Sequence, residues 1–254
     1  MKRKRQKIVV LTSYDFTTTQ LLNEAGVDVI LVGDSLGMVK LGYDSTLPVT
    51  VDDIAYHTRI VVRGNKRALV VSDMPYLSYQ ASREDAVRHS GRMIKAGAHA
   101  VKIEGGTEMV PVVRALVAAK IPVMGHIGMT PQSVNVFGGY KVQGRAKAQE
   151  KKIMTDARAL EKAGVFSIVL ECVPASLGAR VSRAVKVPLI GIGAGVGCDG
   201  QVLVIDDLLG LTGAPLPRFV KRYADLRRTI TAAARNYASD VRAGRFPGRE
   251  NSYL

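Results

Sequence analysis

The chain has 254 residues, 47% of them hydrophobic and 23% charged, with a formal net charge of +14. That length suits one α/β barrel of roughly 250 residues, and no apolar run approaches the roughly 20 residues that a membrane helix needs. Two cysteines, Cys172 and Cys198, make no disulfide framework and are expected to be reduced thiols, while aromatic residues at only 6% and the lack of any nucleic-acid-binding signature argue against an RNA or DNA partner.

The first segment, MKRKRQK, is basic, and with no apolar leader core after it the sequence points to a cytoplasmic protein with no membrane partner. Strand signals then alternate with amphipathic helix signals. The strands read KIVVLTSY (7–14), DVILVGD (28–34), ALVVSD (68–73), AVKIE (100–104), PVMGHIG (122–128), SIVLEC (167–172), VPLIGIGAG (187–195) and GQVLVID (200–206). Between them, FTTTQLLNEAG, TVDDIAYHTRIVVRG, SREDAVRHSGRMIKAG, EMVPVVRALVAAK and KAQEKKIMTDARALEKAG carry apolar residues at helical spacing. Thr50 before Asp52 and Asp53, and Ser82 before Glu84 and Asp85, place acceptors and negative charge at helix starts, and Gly26, Gly97 and Gly164 fit helix ends. Alternating β and α segments demand parallel strands, so the pattern predicts a single-domain (β/α)8 barrel, or TIM barrel, over residues 1–254. The pattern is thinnest between strands seven and eight, which leave no room for a full helix. Basic and apolar residues at helical spacing then predict a C-terminal helix at about 217–244 with a solvated basic face.

Five strands end in polar or charged residues: Asp34, Asp73, Lys102 with Glu104, His126, and Glu171. In a parallel barrel those ends share one mouth, so the carboxylates converge. Magnesium prefers hard oxygen ligands and is held by few carboxylates plus water and substrate, which Asp34, Asp73 and Glu104 can supply. Lys102 and Glu104 are two apart on one strand and share a face. The alternative is an ion pair between them inside the barrel, with Asp34 and Asp73 capping loops. The long connections SLGMVKLGYDSTLP and MTPQSVNVFGGYKVQGR, after strands two and five, are expected to cover the substrate.

Other motifs are weaker. Gly195, Gly197 and Gly200 satisfy G-x-G-x-x-G, but a strand follows instead of a helix, which favours close backbone packing. Gly33-Asp34-Ser35-Leu36-Gly37 satisfies G-x-S-x-G, and Asp73 and His126 complete a serine hydrolase order, yet the segment after it reads as a loop where a nucleophile elbow needs a helix. His57, His89 and His99 fall in or beside helix patterns and read as structural.

VGDSLGM, TLPVTVDDIAYHT, VKIEGG, GHIGMTPQSVNVFGGYKVQGR, LECVP and GIGAGVGCDGQVLV together resemble the ketopantoate hydroxymethyltransferases, from about Lys7 to Lys221. The resemblance implies a (β/α)8 barrel using one Mg2+ per subunit and 5,10-methylenetetrahydrofolate as co-substrate. It implies transfer of a hydroxymethyl group to 3-methyl-2-oxobutanoate, giving 2-dehydropantoate for pantothenate and coenzyme A synthesis, in a homodecamer. It places the metal on Asp34, Asp73 and Glu104, the 2-oxo acid on Asp34, Ser35, Asp73, Lys102 and His126, and the catalytic acid/base on Glu171. Glu171 shares a strand face with Val169 and Val173, an apolar setting expected to suit it as a base. Its alternative role is to protonate a folate nitrogen. The N-terminus departs from the family, where many relatives carry a helix ahead of the first strand. A magnesium lyase of the phosphoenolpyruvate mutase and isocitrate lyase type is the competing reading, since it builds a similar carboxylate mouth on a 2-oxo acid.

Overall fold

The computed structural model describes residues 1–213 and 216–253, in two compact units, Met1–Val204 and Ile205–Leu254. In the first unit β1 (Ile8–Thr12), α1 (Phe16–Glu24), β2 (Val29–Val32), α2 (Leu36–Val39), α3 (Val51–Gly64), β3 (Leu69–Asp73), α4 (Arg83–Lys95) and β4 (Ala100–Glu104) come first. They are followed by α5 (Val110–Ala118), β5 (Val123–Gly128), α6 (Val134–Phe137), α7 (Lys147–Ala163), β6 (Ser167–Glu171), α8 (Ala175–Ala184), β7 (Leu189–Ile192) and β8 (Gly200–Leu203). The eight strands close in sequence order into a parallel barrel, with β8 pairing β1. The predicted (β/α)8 barrel is therefore the fold.

Alternation along each strand sorts its side chains into two layers. Val10, Leu31, Val71, Ala100, Met124, Val169 and Ile190 form the apolar filling inside the barrel. Asp73, Lys102, His126 and Glu171 each lie two residues beyond a member of that layer, so they point inward one level higher, at the strand ends. Ile30, Val70, Val101, Val123, Ile168 and Leu170 take the other parity and are fully buried.

The helices begin where the sequence placed acceptors. Thr50 accepts from the Asp53 N–H at 3.1 Å while Asp53 accepts the Thr50 N–H at 2.9 Å, a reciprocal capping box, and Ser82 accepts from the Asp85 N–H at 3.0 Å. Gly26, Gly97 and Gly164 terminate helices with φ of +80°, +104° and +106°. Among the described residues four α-helices were not anticipated: α8, between β6 and β7, and three of four residues each, α2 and α6 in the long loops after β2 and β5 and α9 (Ile205–Leu208), which begins where the strand expected over 200–206 has already ended at Leu203. Between β7 and β8 there is indeed no helix, only the turn from Gly193 to Asp199. Gly195 there has φ +81°, and a Cβ would lie 2.4 Å from that of Ala175 on α8, so the G-x-G-x-x-G glycines serve close packing. Lys2 lies under the barrel, its ammonium donating to the carbonyls of Ser182, Val185 and Val187 and pairing with Asp199.

The second unit contains α9 (Ile205–Leu208) and α10 (Leu226–Arg242), whose start is capped by Asp225 accepting from the Arg228 N–H. No residue of α10 is buried, and its apolar Ile230, Tyr237 and Val241 are 55%, 58% and 45% exposed. Among the described residues no helix is long and apolar enough to cross a membrane.

Candidate active site

Strand register assembles the site. Asp73 on β3 is level with Lys102 on β4, Glu104 with His126 on β5, and Gly128 with Glu171 on β6. Gly128 is required where it stands, because it has φ +94° and a Cβ would lie 2.3 Å from the Glu171 carbonyl oxygen. Asp34 lies two residues beyond β2, in the turn that starts α2. Asp34, Asp73, Lys102, Glu104 and His126 are buried, and the Glu171 side chain is 12% exposed at the open side.

The Lys102 ammonium is 3.2 Å from Asp73 Oδ1 and 3.9 Å from Glu104 Oε1, and donates to His126 Nδ1 at 3.2 Å. An ammonium can only donate, so Nδ1 accepts and the neutral imidazole carries its proton on Nε2. Burial and Lys102 hold the His126 pKa below the usual histidine value, with Glu171 pulling the other way, consistent with that neutral form. His126 Nε2 stands 3.1 Å from Glu171 Oε2, off the axis of an aligned hydrogen bond. Burial raises the Asp34 pKa well above the carboxylate range, with Asp73 and Glu104 adding to it, and pushes Glu104 up to about 7. Burial alone would lower the Lys102 pKa, but Asp73, Glu104 and Asp34 together outweigh it and raise it.

Each carboxylate spends one oxygen on a protein N–H. Asp73 Oδ2 accepts the Asp34 N–H at 3.0 Å, Glu104 Oε2 the Gln132 N–H at 3.0 Å, and Asp34 Oδ2 the Gln132 amide at 2.9 Å. Asp73 Oδ1 and Glu104 Oε1 are buried without a hydrogen bond. Among the described residues no three His, Cys, Asp or Glu side chains form a ready-made metal cluster. The donor set nevertheless fits a hard divalent cation, with two carboxylate oxygens that take no hydrogen bond beside other buried carboxylates, and one lysine for three acids leaves repulsion that a cation would relieve.

Sequence reading missed Gln132, Tyr79, Tyr14 and Tyr140. Tyr79 is fully buried and donates to Gln132 Oε1 at 2.8 Å. Tyr14 OH is 2.8 Å from Ser35 Oγ. Tyr140, in the loop after β5, approaches Met38 after β2 at 3.7 Å, so the two long loops meet. Its pKa is raised by partial burial, then by Asp34, Glu171 and Glu104. Only the long loop signalled Gln132 and Tyr140. Two sequence expectations need correction. A helix, α2, does follow Ser35 directly, where a loop was expected. Glu171 also does not share a strand with Val173: β6 ends at Glu171, Cys172 turns with φ +48°, and the carboxylate faces His126.

The model of the family described as ketopantoate hydroxymethyltransferase matches residues 1–249. The chain belongs to that family. Proteins named 3-methyl-2-oxobutanoate hydroxymethyltransferase from Moorella thermoacetica and Carboxydothermus hydrogenoformans are 56% and 55% identical, over 100% of this chain and 94% and 92% of theirs. This hydroxymethyltransferase shares its fold with 2,3-dimethylmalate lyase of the PEP mutase/isocitrate lyase superfamily (TM-score 0.61, 15% identity, 100% of this chain and 88% of that one). A phosphonopyruvate hydrolase solved with oxalate and Mg2+ is similar at TM-score 0.64 and 12% identity, covering 98% and 89%. At such identities the likeness speaks for the barrel alone, so the lyase reading is secondary. The serine hydrolase reading fails on geometry, since both His126 nitrogens face Lys102, Glu104 or Glu171 and the Ser35 hydroxyl is bonded to Tyr14. Ser35→Ala should therefore cost only about two- to tenfold in kcat/KM, the worth of one hydrogen bond. A loss of essentially all turnover in steady-state assays would restore serine as a nucleophile.

Proposed function

We propose that this hydroxymethyltransferase takes the C3 proton from 3-methyl-2-oxobutanoate and joins the resulting enolate to the one-carbon unit of 5,10-methylenetetrahydrofolate. One water supplies the hydroxyl oxygen, and the products are 2-dehydropantoate and tetrahydrofolate, a step of pantothenate synthesis. The observation that carries the reading is the pair of buried oxygens without a hydrogen bond, Asp73 Oδ1 and Glu104 Oε1, which share only the charge of Lys102 at the inner end of the mouth. Asp34, Asp73 and Glu104 would hold one Mg2+, which when bound supplies the positive charge that makes the C3 proton acidic.

The chain's own groups do the rest. Lys102 and neutral His126 hold the anionic end of the 2-oxo acid, with Asp34, Ser35 and Asp73 around it. Tyr14 orients the Ser35 hydroxyl through their 2.8 Å contact. Glu171, at the open side, takes the C3 proton as general base or, in its other role, protonates the folate nitrogen as the carbon–nitrogen bond breaks. The loops after β2 and β5, meeting at Met38 and Tyr140, exclude water from the enolate. A cytoplasmic homodecamer is the assembly we assign, and the exposed Ile230, Tyr237 and Val241 of α10 support self-association.

The test is incubation with both substrates, with and without Mg2+, followed by product mass. The expected result is 2-dehydropantoate only when folate and Mg2+ are both present, and none after chelation. Consumption of the 2-oxo acid without folate would favour a lyase instead.

A further inference from the structure

Gln132 is 7% exposed, and its side-chain amide uses its whole hydrogen-bonding capacity inside the protein. Its backbone N–H donates to Glu104 Oε2 at 3.0 Å, and its amide nitrogen donates to Asp34 Oδ2 and the Met74 carbonyl, both at 2.9 Å. Its amide oxygen accepts from Tyr79 OH at 2.8 Å and from the Gln80 amide at 3.1 Å.

The direction of this amide is forced. The Glu104 N–H donates to Tyr79 OH at 3.0 Å, and the phenol's own proton has two acceptors in reach, Gln132 Oε1 at 2.8 Å and the Glu104 carbonyl at 3.2 Å. Turned over, the amide would set its oxygen against the Met74 carbonyl, which has no proton to give, so that contact fixes its direction. A buried donor or acceptor left unpaired costs more than the bond itself contributes. The backbone carbonyl of Met74 thereby sets which atom of Gln132 meets Asp34, and Tyr79 and Gln80 hold the other end of the amide.

We propose that Gln132 is a positioning residue for the reaction: holding Asp34 Oδ2 through its side chain and Glu104 Oε2 through its backbone, it dictates which oxygens of these carboxylates face the mouth. Neither its side chain nor Tyr79 touches the reacting atoms; both act through Asp34 and Glu104. This inference rests on Asp34, Asp73 and Glu104 being the cation ligands proposed above.

The test measures Mn2+ binding directly, by electron paramagnetic resonance of the free ion, with no substrate present. Wild type, Gln132→Leu and Tyr79→Phe are compared, with circular dichroism and melting curves confirming that each is folded. Leucine keeps most of the volume and the backbone contact to Glu104 but removes the hold on Asp34. Loss of a group that orients a metal ligand typically weakens metal affinity by about 10–100-fold, so the Kd of Gln132→Leu should rise within that range. Tyr79→Phe frees the amide without removing it and should show a smaller rise. A merely structural role would lower the melting temperature and leave the Kd of the folded protein unchanged. That result in Gln132→Leu overturns the proposal, and if the leucine variant does not fold, an unchanged Kd in Tyr79→Phe overturns it. Wild type that binds no Mn2+ would instead overturn the ligand assignment, and this inference with it.

Discussion

Lys102→Met is expected to lose about 3–5 kcal/mol of folding stability at pH 8, the usual cost of stripping one partner from a buried ion pair, and to lose catalysis with it. Methionine keeps the volume, so the effect isolates the charge. Lys102 is the cation among Asp34, Asp73 and Glu104, and its side chain is only 5% exposed. Solvent screening therefore does little to soften its removal. The loss should shrink toward pH 5, and the sign follows from the carboxylates. A group whose folded pKa lies above its unfolded value contributes stability that is complete below the unfolded pKa and lost as pH rises through the folded one. Asp34 is already raised, and Glu104 stands at about 7 even with the lysine present. Without the lysine both shift further upward, so the variant should weaken progressively from about pH 5 to pH 8 as these carboxylates ionise uncompensated. Urea unfolding at the two pH values checks this. A variant as stable as wild type at pH 8, or one with no added pH dependence, would show that Lys102 does not hold the cluster together.

Much of the site was legible because a parallel barrel converts position along a strand into position in space. Asp73, Lys102, Glu104, His126 and Glu171 are ends of apolar runs, and a closed barrel leaves strand ends only one common mouth. Gln132 and the tyrosines carry no such mark. Tyr79 lies in a loop, Gln132 in a one-turn 3-10 helix at Pro131–Ser133, and Tyr14 in the β1–α1 turn. In irregular backbone the residue type says nothing of the face it presents, so a buried glutamine there reads like any surface glutamine. The helix α8 went unread for a related reason. Its stretch ASLGARVSRA buries only Leu177, Gly178, Val181 and Ser182, and it is built from small residues because the β7–β8 turn presses on it. A Cβ on Gly178 would lie 2.2 Å from the Ala194 carbonyl oxygen. Close packing replaced the large apolar residues that normally announce an amphipathic helix. The strand face assigned to Val173 was misjudged because alternation holds only while the strand continues, and Cys172 ends it with a left-handed residue of the kind that costs of order 1 kcal/mol. The tertiary contacts at that turn, Gln143 N–H to the Cys172 carbonyl and Cys172 N–H to the Ile192 carbonyl, both 2.8 Å, hold it in place.

Glu171→Gln separates binding from chemistry. The amide is isosteric, and the contact it alters, His126 Nε2 at 3.1 Å, is unaligned and partly open, so the fold and the cluster beneath should be little disturbed. Asp34, Asp73, Lys102 and Glu104 are untouched, so the KM for the 2-oxo acid should change by no more than about threefold. A glutamine cannot accept or return a proton, so kcat should fall by about 10²–10⁴-fold, the range for a lost general acid or base. The exchange of the C3 hydrogen for deuterium in D2O, followed by proton NMR with Mg2+ and without folate, then identifies the step. As base at C3, Glu171 is required before the folate enters, and exchange in the variant should collapse in proportion to kcat. If exchange proceeds at the wild-type rate while turnover is lost, the base role is ruled out. The carboxyl would then serve the second half of the reaction, protonating the folate nitrogen as the methylene carbon leaves it.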